Sequence, residues 1–80
     1  MTIVVSNLPH EVTRVDLLEL FEEYGPIKRV LLPTYRDTGK VREFAFVEMD
    51  GKAQEAAAIS ELNGSQWMGN KLQVHPLILY

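Results

Sequence analysis

Six short periodic segments follow one another along this chain, and their order restricts the fold more than any other feature. Segments that alternate between apolar and polar residues indicate strands, and apolar residues spaced three and four apart indicate helices. We predict strands at 2–7, 27–33, 41–49 and 71–75, and helices at about 14–24 and 52–62. The predicted order is therefore β-α-β-β-α-β.

Turn and cap signals set the ends of these segments. Thr13, followed three residues later by Asp16, is a capping pair for the first helix, and Gly25 before a proline ends that helix. Asp50 is the predicted cap of the second helix. A loop that holds Trp67 then leads to the last strand. Each predicted helix thus has a local start signal.

The order of the elements defines a fold class. Two βαβ halves joined in this way form an α+β, ferredoxin-like split βαβ fold: a four-stranded antiparallel sheet with both helices on one face. With 80 residues and no linker or repeat, the chain is expected to form a single domain over 1–80, with 76–80 as a hydrophobic C-terminal extension. The second face of the sheet has no helix to cover it, and we call it the uncovered face.

The third strand places two phenylalanines on the same side. Phe44 and Phe46 alternate with small and aliphatic residues that suit a core under the helices. Arg42 and Glu48 share the side of the two rings, and such charges are rarely buried unpaired, so this side is expected to be the uncovered face. Exposed rings there could stack on bases or on a partner's apolar groups. The alternative is a sheet covered on both sides, or rings that lie beneath a folded-back tail.

Composition narrows the classes of function. With no cysteine, the chain has no disulfide, thiolate nucleophile or cysteine-based zinc site. His10 and His75 lack a partner at ligand spacing, so we predict no metal, no cofactor and no catalysis. The net charge of −3 argues against a protein that binds nucleic acid mainly by neutralising phosphates. No apolar run reaches the roughly 18 residues of a membrane helix and no signal peptide is seen, so a soluble, intracellular, cytoplasmic protein is expected.

Two motifs resemble those of the RNA-recognition motif family. The strand-three octamer of that family stands here as REFAFVEM, Arg42 to Met49, and five of its seven specified positions match. The strand-one hexamer stands as IVVSNL, and lacks only its aromatic residue, which Val4 replaces. The resemblance covers nearly all of residues 2 to 75. The stretches LFEEYGPIKRV and ELNGSQWMGNKLQV are similar to those of short single-domain members from cyanobacteria.

This resemblance implies roles for individual residues. In the family, the residue at Phe44 stacks on a base, Phe46 packs between sugars and Arg42 meets a phosphate. Val4 cannot stack as a ring does. Further candidate RNA-binding residues are Asn7, Tyr35, Arg36, Lys40, Lys71, Gln73 and His75. The implied function is weak binding of single-stranded RNA with low sequence specificity.

Other interpretations remain open at this point. Val4 and Leu31 make the uncovered face more aliphatic, so this face could instead bind a protein partner or a second copy of the chain, together with Phe44, Phe46 and the apolar tail PLILY at 76–80. The chain could also be a redesign on the family's backbone in which RNA affinity was never selected. Glu43, which replaces a glycine of the octamer, fits that description.

Overall fold

The computed structural model describes residues 2–78 and has the predicted order of elements, with one short hairpin added. The elements are β1 Thr2–Ser6, α1 Arg14–Glu22, β2 Ile27–Leu31, β3 Phe44–Met49, α2 Lys52–Leu62, β4 Gln66–Trp67, β5 Asn70–Lys71 and β6 Gln73–Pro76. The main sheet has the order β2-β3-β1-β6, and every neighbouring pair is antiparallel. The predicted split βαβ fold is confirmed.

Local signals explain the first helix. The Thr13 hydroxyl accepts a hydrogen bond from the Asp16 N–H at 3.2 Å, and the Asp16 carboxylate accepts one from the Thr13 N–H at 2.9 Å. This is the predicted capping box, which satisfies N–H groups that a helix start leaves without partners. The helix ends at Glu22, two residues earlier than predicted, because the chain tightens into a turn in which the Tyr24 N–H donates to the Phe21 carbonyl.

The second helix has the predicted bounds, but the predicted cap is wrong. Gly51 is the N-cap, and no side chain caps the helix start. Asp50 lies one residue too early, and its N–H donates to the Pro26 carbonyl at 3.2 Å in the adjacent loop. The connection that leads into β2 therefore fixes the position of Asp50.

One face of the sheet and the facing sides of both helices form the core. The buried apolar side chains are Ile3, Val5, Leu8, Val12, Leu17, Phe21, Val30, Ala45, Val47, Met49, Ala58, Leu62, Leu72 and Val74. In β1 and β3 these residues alternate with half-buried ones, as a sheet with a single helical layer requires. The opposite set of side chains in these strands consequently points away from the helices.

Several strand boundaries differ from the prediction, and β2 ends at Leu31 instead of Pro33. β1 ends at Ser6 because Asn7 has a φ of +62°, which lies in the left-handed region and not in the extended range of a strand. β3 begins at Phe44, and Val41 forms only an isolated bridge with Thr34. The last strand begins at Gln73 instead of 71, because residues 66–71 fold back as the β4–β5 hairpin.

A bulge in β2 decides which side chains of this strand reach the core. Ile27 pairs with Met49 and Arg29 with Glu48, so two steps along β2 oppose a single step along β3. Strict alternation would place Ile27 on the same face as Arg29 and Glu48, whereas the bulge lets Ile27 pack against the core. Within residues 2–78, no helix is long and apolar enough to cross a membrane.

Candidate nucleic-acid interface

The uncovered face centres on the middle strands β3 and β1. Phe44 and Phe46 are half-buried, whereas Ala45 and Val47, which alternate with them, are fully buried on the helical side. In the register of the two strands, Ser6 lies opposite Phe44 and Val4 lies opposite Phe46. The structure thus places both rings on the side away from the helices, where a ligand can reach them.

The two rings meet edge to face. Their centroids are 5.6 Å apart and their planes make an angle of 78°. This arrangement is favourable for an aromatic pair, because the positive edge of one ring meets the negative face of the other. Perpendicular rings cannot both present their faces in the same direction. Bases stacked on Phe44 and on Phe46 would therefore need different orientations, or one ring would have to turn.

A row of side chains crosses the uncovered face through Phe46. Leu31 of β2 lies opposite Phe46 on one side, and Val4 lies opposite it on the other. His75 of β6 continues the row beyond Val4, and Gln73 lies opposite Ser6 in the neighbouring row. The centre of the face is therefore apolar, and its β6 side carries polar groups that can form hydrogen bonds.

Most of the predicted basic contacts lie together in the loop between β2 and β3. The Tyr35 N–H donates to the Lys40 carbonyl at 2.7 Å, which folds this loop as a hairpin. The Arg42 guanidinium carbon lies 4.9 Å from the centroid of the Tyr35 ring, a cation–π contact. Arg36, Lys40 and Arg42 are all exposed. The structure thus brings three cations to the end of the sheet at which Phe44 begins β3.

Asn7 and Lys71 hold the β4–β5 hairpin against the end of β1. The Asn7 amide donates to the Lys71 carbonyl at 2.8 Å, and the Asn70 amide donates to the Asn7 carbonyl at 3.0 Å. The first of these bonds gives the side-chain amide of Asn7 a structural role within the protein. The Lys71 side chain is exposed on this hairpin, outside the four-stranded sheet.

Sequence reasoning missed a groove at the other end of the uncovered face. Its volume is about 280 Å³, and we call it the end groove; it is lined by Thr2, Arg29, Leu31, Phe46, Glu48 and Leu77. Leu77 follows β6 and is held beside β1 by a 2.8 Å hydrogen bond from its N–H to the Thr2 carbonyl. Of the predicted apolar tail, Leu79 and Tyr80 lie outside the described residues.

An ion pair lies in the wall of the end groove. Nε and Nη2 of Arg29 lie 3.3 and 3.2 Å from Oε2 of Glu48. The Thr2 hydroxyl donates to the other carboxylate oxygen across a long 3.5 Å. The side chains of Arg29 and Glu48 remain 57% and 28% exposed, so both can still contact a ligand. Alternation indicates the facing of Glu48, but only the register of β2 against β3, which pairs Arg29 with Glu48, brings the two side chains together.

Among residues 2–78, no three His, Asp or Glu side chains come together in a way that could hold a metal ion. His10 lies in an exposed loop before α1, whereas His75 lies on β6. What the uncovered face offers is an apolar aromatic centre, a basic loop at one end and a groove with an ion pair at the other.

A four-stranded sheet with two helices behind it and an aromatic pair on its middle strand is the architecture of an RNA recognition motif. The family model described as "RNA recognition motif" matches residues 3–73. The chain therefore belongs to the RNA recognition motif family.

Cyanobacterial proteins are among its relatives. RbpD of Nostoc sp., which carries the designation of an RNA-binding protein, is 56% identical over 75 residues, a stretch that covers 94% of this chain and 80% of RbpD. RbpA of Synechocystis sp., similarly designated, is 51% identical over 75 residues, covering 94% of this chain and 74% of RbpA. The expected similarity to short cyanobacterial members is confirmed.

Solved structures agree with this fold. The crystal structure of the RNA-binding protein PG1 matches with a TM-score of 0.94 and 36% identity, over 100% of this chain and 96% of that one. The Sex-lethal protein in complex with RNA matches with a TM-score of 0.92 and 28% identity, over 99% of this chain and 47% of the longer protein.

Proposed function

We propose that this protein is a non-catalytic module that binds single-stranded RNA on the uncovered face of its sheet. The observation that carries the proposal is the position of Phe44 and Phe46, two adjacent and partly exposed rings on β3. Every base has a π-face, so exposed aromatic rings bind single strands with little dependence on sequence. Membership of the RNA recognition motif family and the designations of its relatives support the same function.

The free energy available from base stacking indicates weak RNA binding. Stacking on an aromatic ring contributes about 1–3 kcal/mol per base, so two rings contribute roughly 2–6 kcal/mol. Taken alone, this corresponds to dissociation constants from tens of millimolar to tens of micromolar. The net charge of −3 adds little long-range attraction for RNA, and Val4 supplies no third ring. We therefore expect micromolar to millimolar affinity and little sequence choice outside the end groove.

An amide-shift titration with short U-rich and A-rich oligonucleotides at low salt tests this function. We expect the resonances of Phe44 and Phe46 to move with added RNA. Phe44→Leu keeps apolar bulk but removes the π-face, and should weaken binding about 5- to 100-fold. Val15→Ala is the matched control, because Val15 is 59% exposed on α1, behind the sheet. Unmoved resonances at millimolar RNA would exclude the proposal.

A second candidate is self-association through the same face. Leu31 is 49% exposed and Ile78 is 60% exposed, and together with Leu77 they extend the apolar area beyond the aromatic rings. If this face binds a second copy, the sedimentation coefficient should rise with protein concentration, and Leu31→Gln should abolish the rise. A protein that sediments as a monomer at every concentration would exclude self-association and leave the RNA function intact.

A further inference from the structure

The end groove has the chemistry of a site for one guanine base, and we propose that the Arg29–Glu48 pair gives this protein a preference for guanine within single-stranded RNA. This inference rests on the proposed function, because it concerns a nucleotide bound next to those that stack on Phe44 and Phe46. It adds a choice of base to a surface that would otherwise bind any sequence.

The walls of the end groove suit a flat ring with a polar edge. Leu31, Phe46 and Leu77 provide apolar surface, and the charged pair provides a polar part of the wall. The row Arg29, Glu48, Thr2 spans β2, β3 and β1, and the backbone bond from Leu77 to Thr2 extends it to the chain after β6. At about 280 Å³ the groove is slightly smaller than typical ligand sites, which run from roughly 300 to 1,000 Å³. A single base is a suitable occupant.

The hydrogen-bonding groups of the pair select among the four bases. Glu48 accepts at two oxygens and has lone pairs beyond those that Arg29 and Thr2 use, because a carboxylate has about four acceptor sites. Among the described contacts, Arg29 donates to Glu48 only from Nε and Nη2, so its Nη1 group can donate to a ligand. The pair therefore presents two acceptors beside a donor.

Guanine has the complementary edge. Its N1–H and N2–H groups are adjacent donors that can both bind the Glu48 carboxylate, and its O6 is an acceptor for Arg29. Adenine and cytosine each present one amino donor beside a ring acceptor, which would face the carboxylate unfavourably. Uracil places its single N3–H between two carbonyl oxygens, and at least one of these would meet the negative charge of Glu48.

The partial exposure of Arg29 and Glu48 to solvent limits how strongly this site can prefer guanine. A good bidentate contact to a base contributes about 5- to 150-fold discrimination. Both side chains here are partly solvated, so we expect the low end, about 5- to 10-fold. Because the ion pair exists without RNA, the two groups already point toward each other, and little side-chain ordering accompanies binding.

Four pentanucleotides that differ only in the central base test the inference. We expect UUGUU to bind about 5- to 10-fold more tightly than UUUUU, UUAUU or UUCUU, with the amides of Leu31 and Leu77 shifting most for the guanine oligonucleotide. Glu48→Gln replaces one acceptor by a donor and should make the four affinities equal. Glu19→Gln is the matched control, because it removes the same charge from an exposed position on α1.

Two further variants separate base recognition from the stability of the sheet. Arg29→Lys keeps the charge but removes the planar fork, and should remove the guanine preference while binding to UUUUU is retained. The double variant Arg29→Glu with Glu48→Arg keeps an ion pair between the strands and should also lose the preference. Thermal unfolding of each variant shows whether the fold is intact.

The outcomes distinguish this inference from the proposed function. Equal affinities for the four oligonucleotides, or a guanine preference that survives Glu48→Gln, would overturn the inference while RNA binding at Phe44 and Phe46 stands. No shift at either phenylalanine with any oligonucleotide would overturn both. A preference for guanine that only the Glu48 and Arg29 variants remove would establish the site.

Discussion

Val4 lies directly opposite Phe46 in the antiparallel register of β1 and β3, at the centre of the uncovered face. This is the strand-one position at which the hexamer of RNA recognition motifs has an aromatic residue. Both side chains are half-buried and neither is covered by a helix. The valine therefore leaves room above β1 that a ring would fill, and the surface has one aromatic group fewer for stacking.

Restoring a ring at this position should strengthen RNA binding. Val4→Phe adds one stacking surface, which contributes about 1–3 kcal/mol of binding free energy, or roughly 5- to 150-fold in the dissociation constant. Fluorescence anisotropy with a labelled U-rich oligonucleotide measures the change. Val15→Phe, on the exposed side of α1, controls for added hydrophobicity. An unchanged affinity in Val4→Phe would show that bases do not reach the centre of the sheet.

RNA binding should weaken as the salt concentration rises, because exposed cations near the uncovered face can neutralise phosphates. For single strands, each neutralised phosphate contributes about −0.7 to the slope of log K against log salt concentration. Arg42 is exposed at the end of the sheet where Phe44 begins β3, so Arg42→Ala should make the slope shallower by about 0.7. Arg14→Ala, at the start of α1, should leave it unchanged. Equal slopes in wild type and Arg42→Ala would exclude a phosphate contact by Arg42.

The ends of the two helices are linked by a hydrogen bond that makes stability depend on alkaline pH. The Tyr24 hydroxyl donates to Oε2 of Glu61 at 3.0 Å. Partial burial raises the pKa of Tyr24 above its ordinary value of 10.0, and the hydrogen bond to Glu61 and the negative charges of Glu61 and Glu23 raise it further. Since the folded-state pKa lies above the unfolded one, the protonated hydroxyl stabilises the fold below about pH 10. This contribution is lost as the pH rises through the folded pKa.

Urea unfolding between pH 8 and pH 11 measures that loss. We expect the free energy of unfolding of the wild type to fall more steeply above pH 10 than that of Tyr24→Phe, which has no hydroxyl to titrate. Glu61→Gln removes the main charged partner and should give an intermediate slope. If the free energy of unfolding depends on pH equally in wild type and Tyr24→Phe, titration of Tyr24 is not the cause of the loss.

Gly25 is required between α1 and β2 for two reasons. Its φ of +139° is outside the range of ordinary L-residues, and an added Cβ would lie 2.6 Å from Cγ of Gln54. Gly25→Ala should therefore destabilise the protein by about 1–3 kcal/mol, measured by urea unfolding. Gly39→Ala is the matched control: its φ is +71°, but nothing lies within 4 Å of the added Cβ. Its cost should be limited to about 1–2 kcal/mol of backbone strain.

The double variant Gly25→Ala with Gln54→Ala separates the cost of backbone strain at position 25 from the cost of the steric clash with Gln54. Shortening Gln54 opens space for the new methyl group but does not change φ at position 25. We expect partial recovery of stability relative to Gly25→Ala alone. A Gly25→Ala protein as stable as the wild type would show that the loop readily adopts another conformation.

The amino-acid sequence by itself determined the features that depend on neighbours along the chain. The Thr13–Asp16 capping box, the bounds of α2 and the facing of Phe44 and Phe46 follow from side chains within a few residues of one another. Alternation in β3 was sufficient to predict the facing of its side chains, because one face of the sheet is buried. A shift by one residue would bury Glu48 and expose Val47. The cap of α2 was missed, since a loop contact, not propensity, positions Asp50.

Only the tertiary structure decided how the end groove is assembled. The pairing of β2 with β3 places Arg29 beside Glu48, 19 residues away in the chain, and the bulge in β2 lets Ile27 reach the core. The pairing of β6 with β1 brings Leu77 to Thr2, and the β4–β5 hairpin is held by Asn7 from the far end of the chain. These contacts join residues distant in sequence, and their geometry depends on packing and strand register, which local periodicity does not contain.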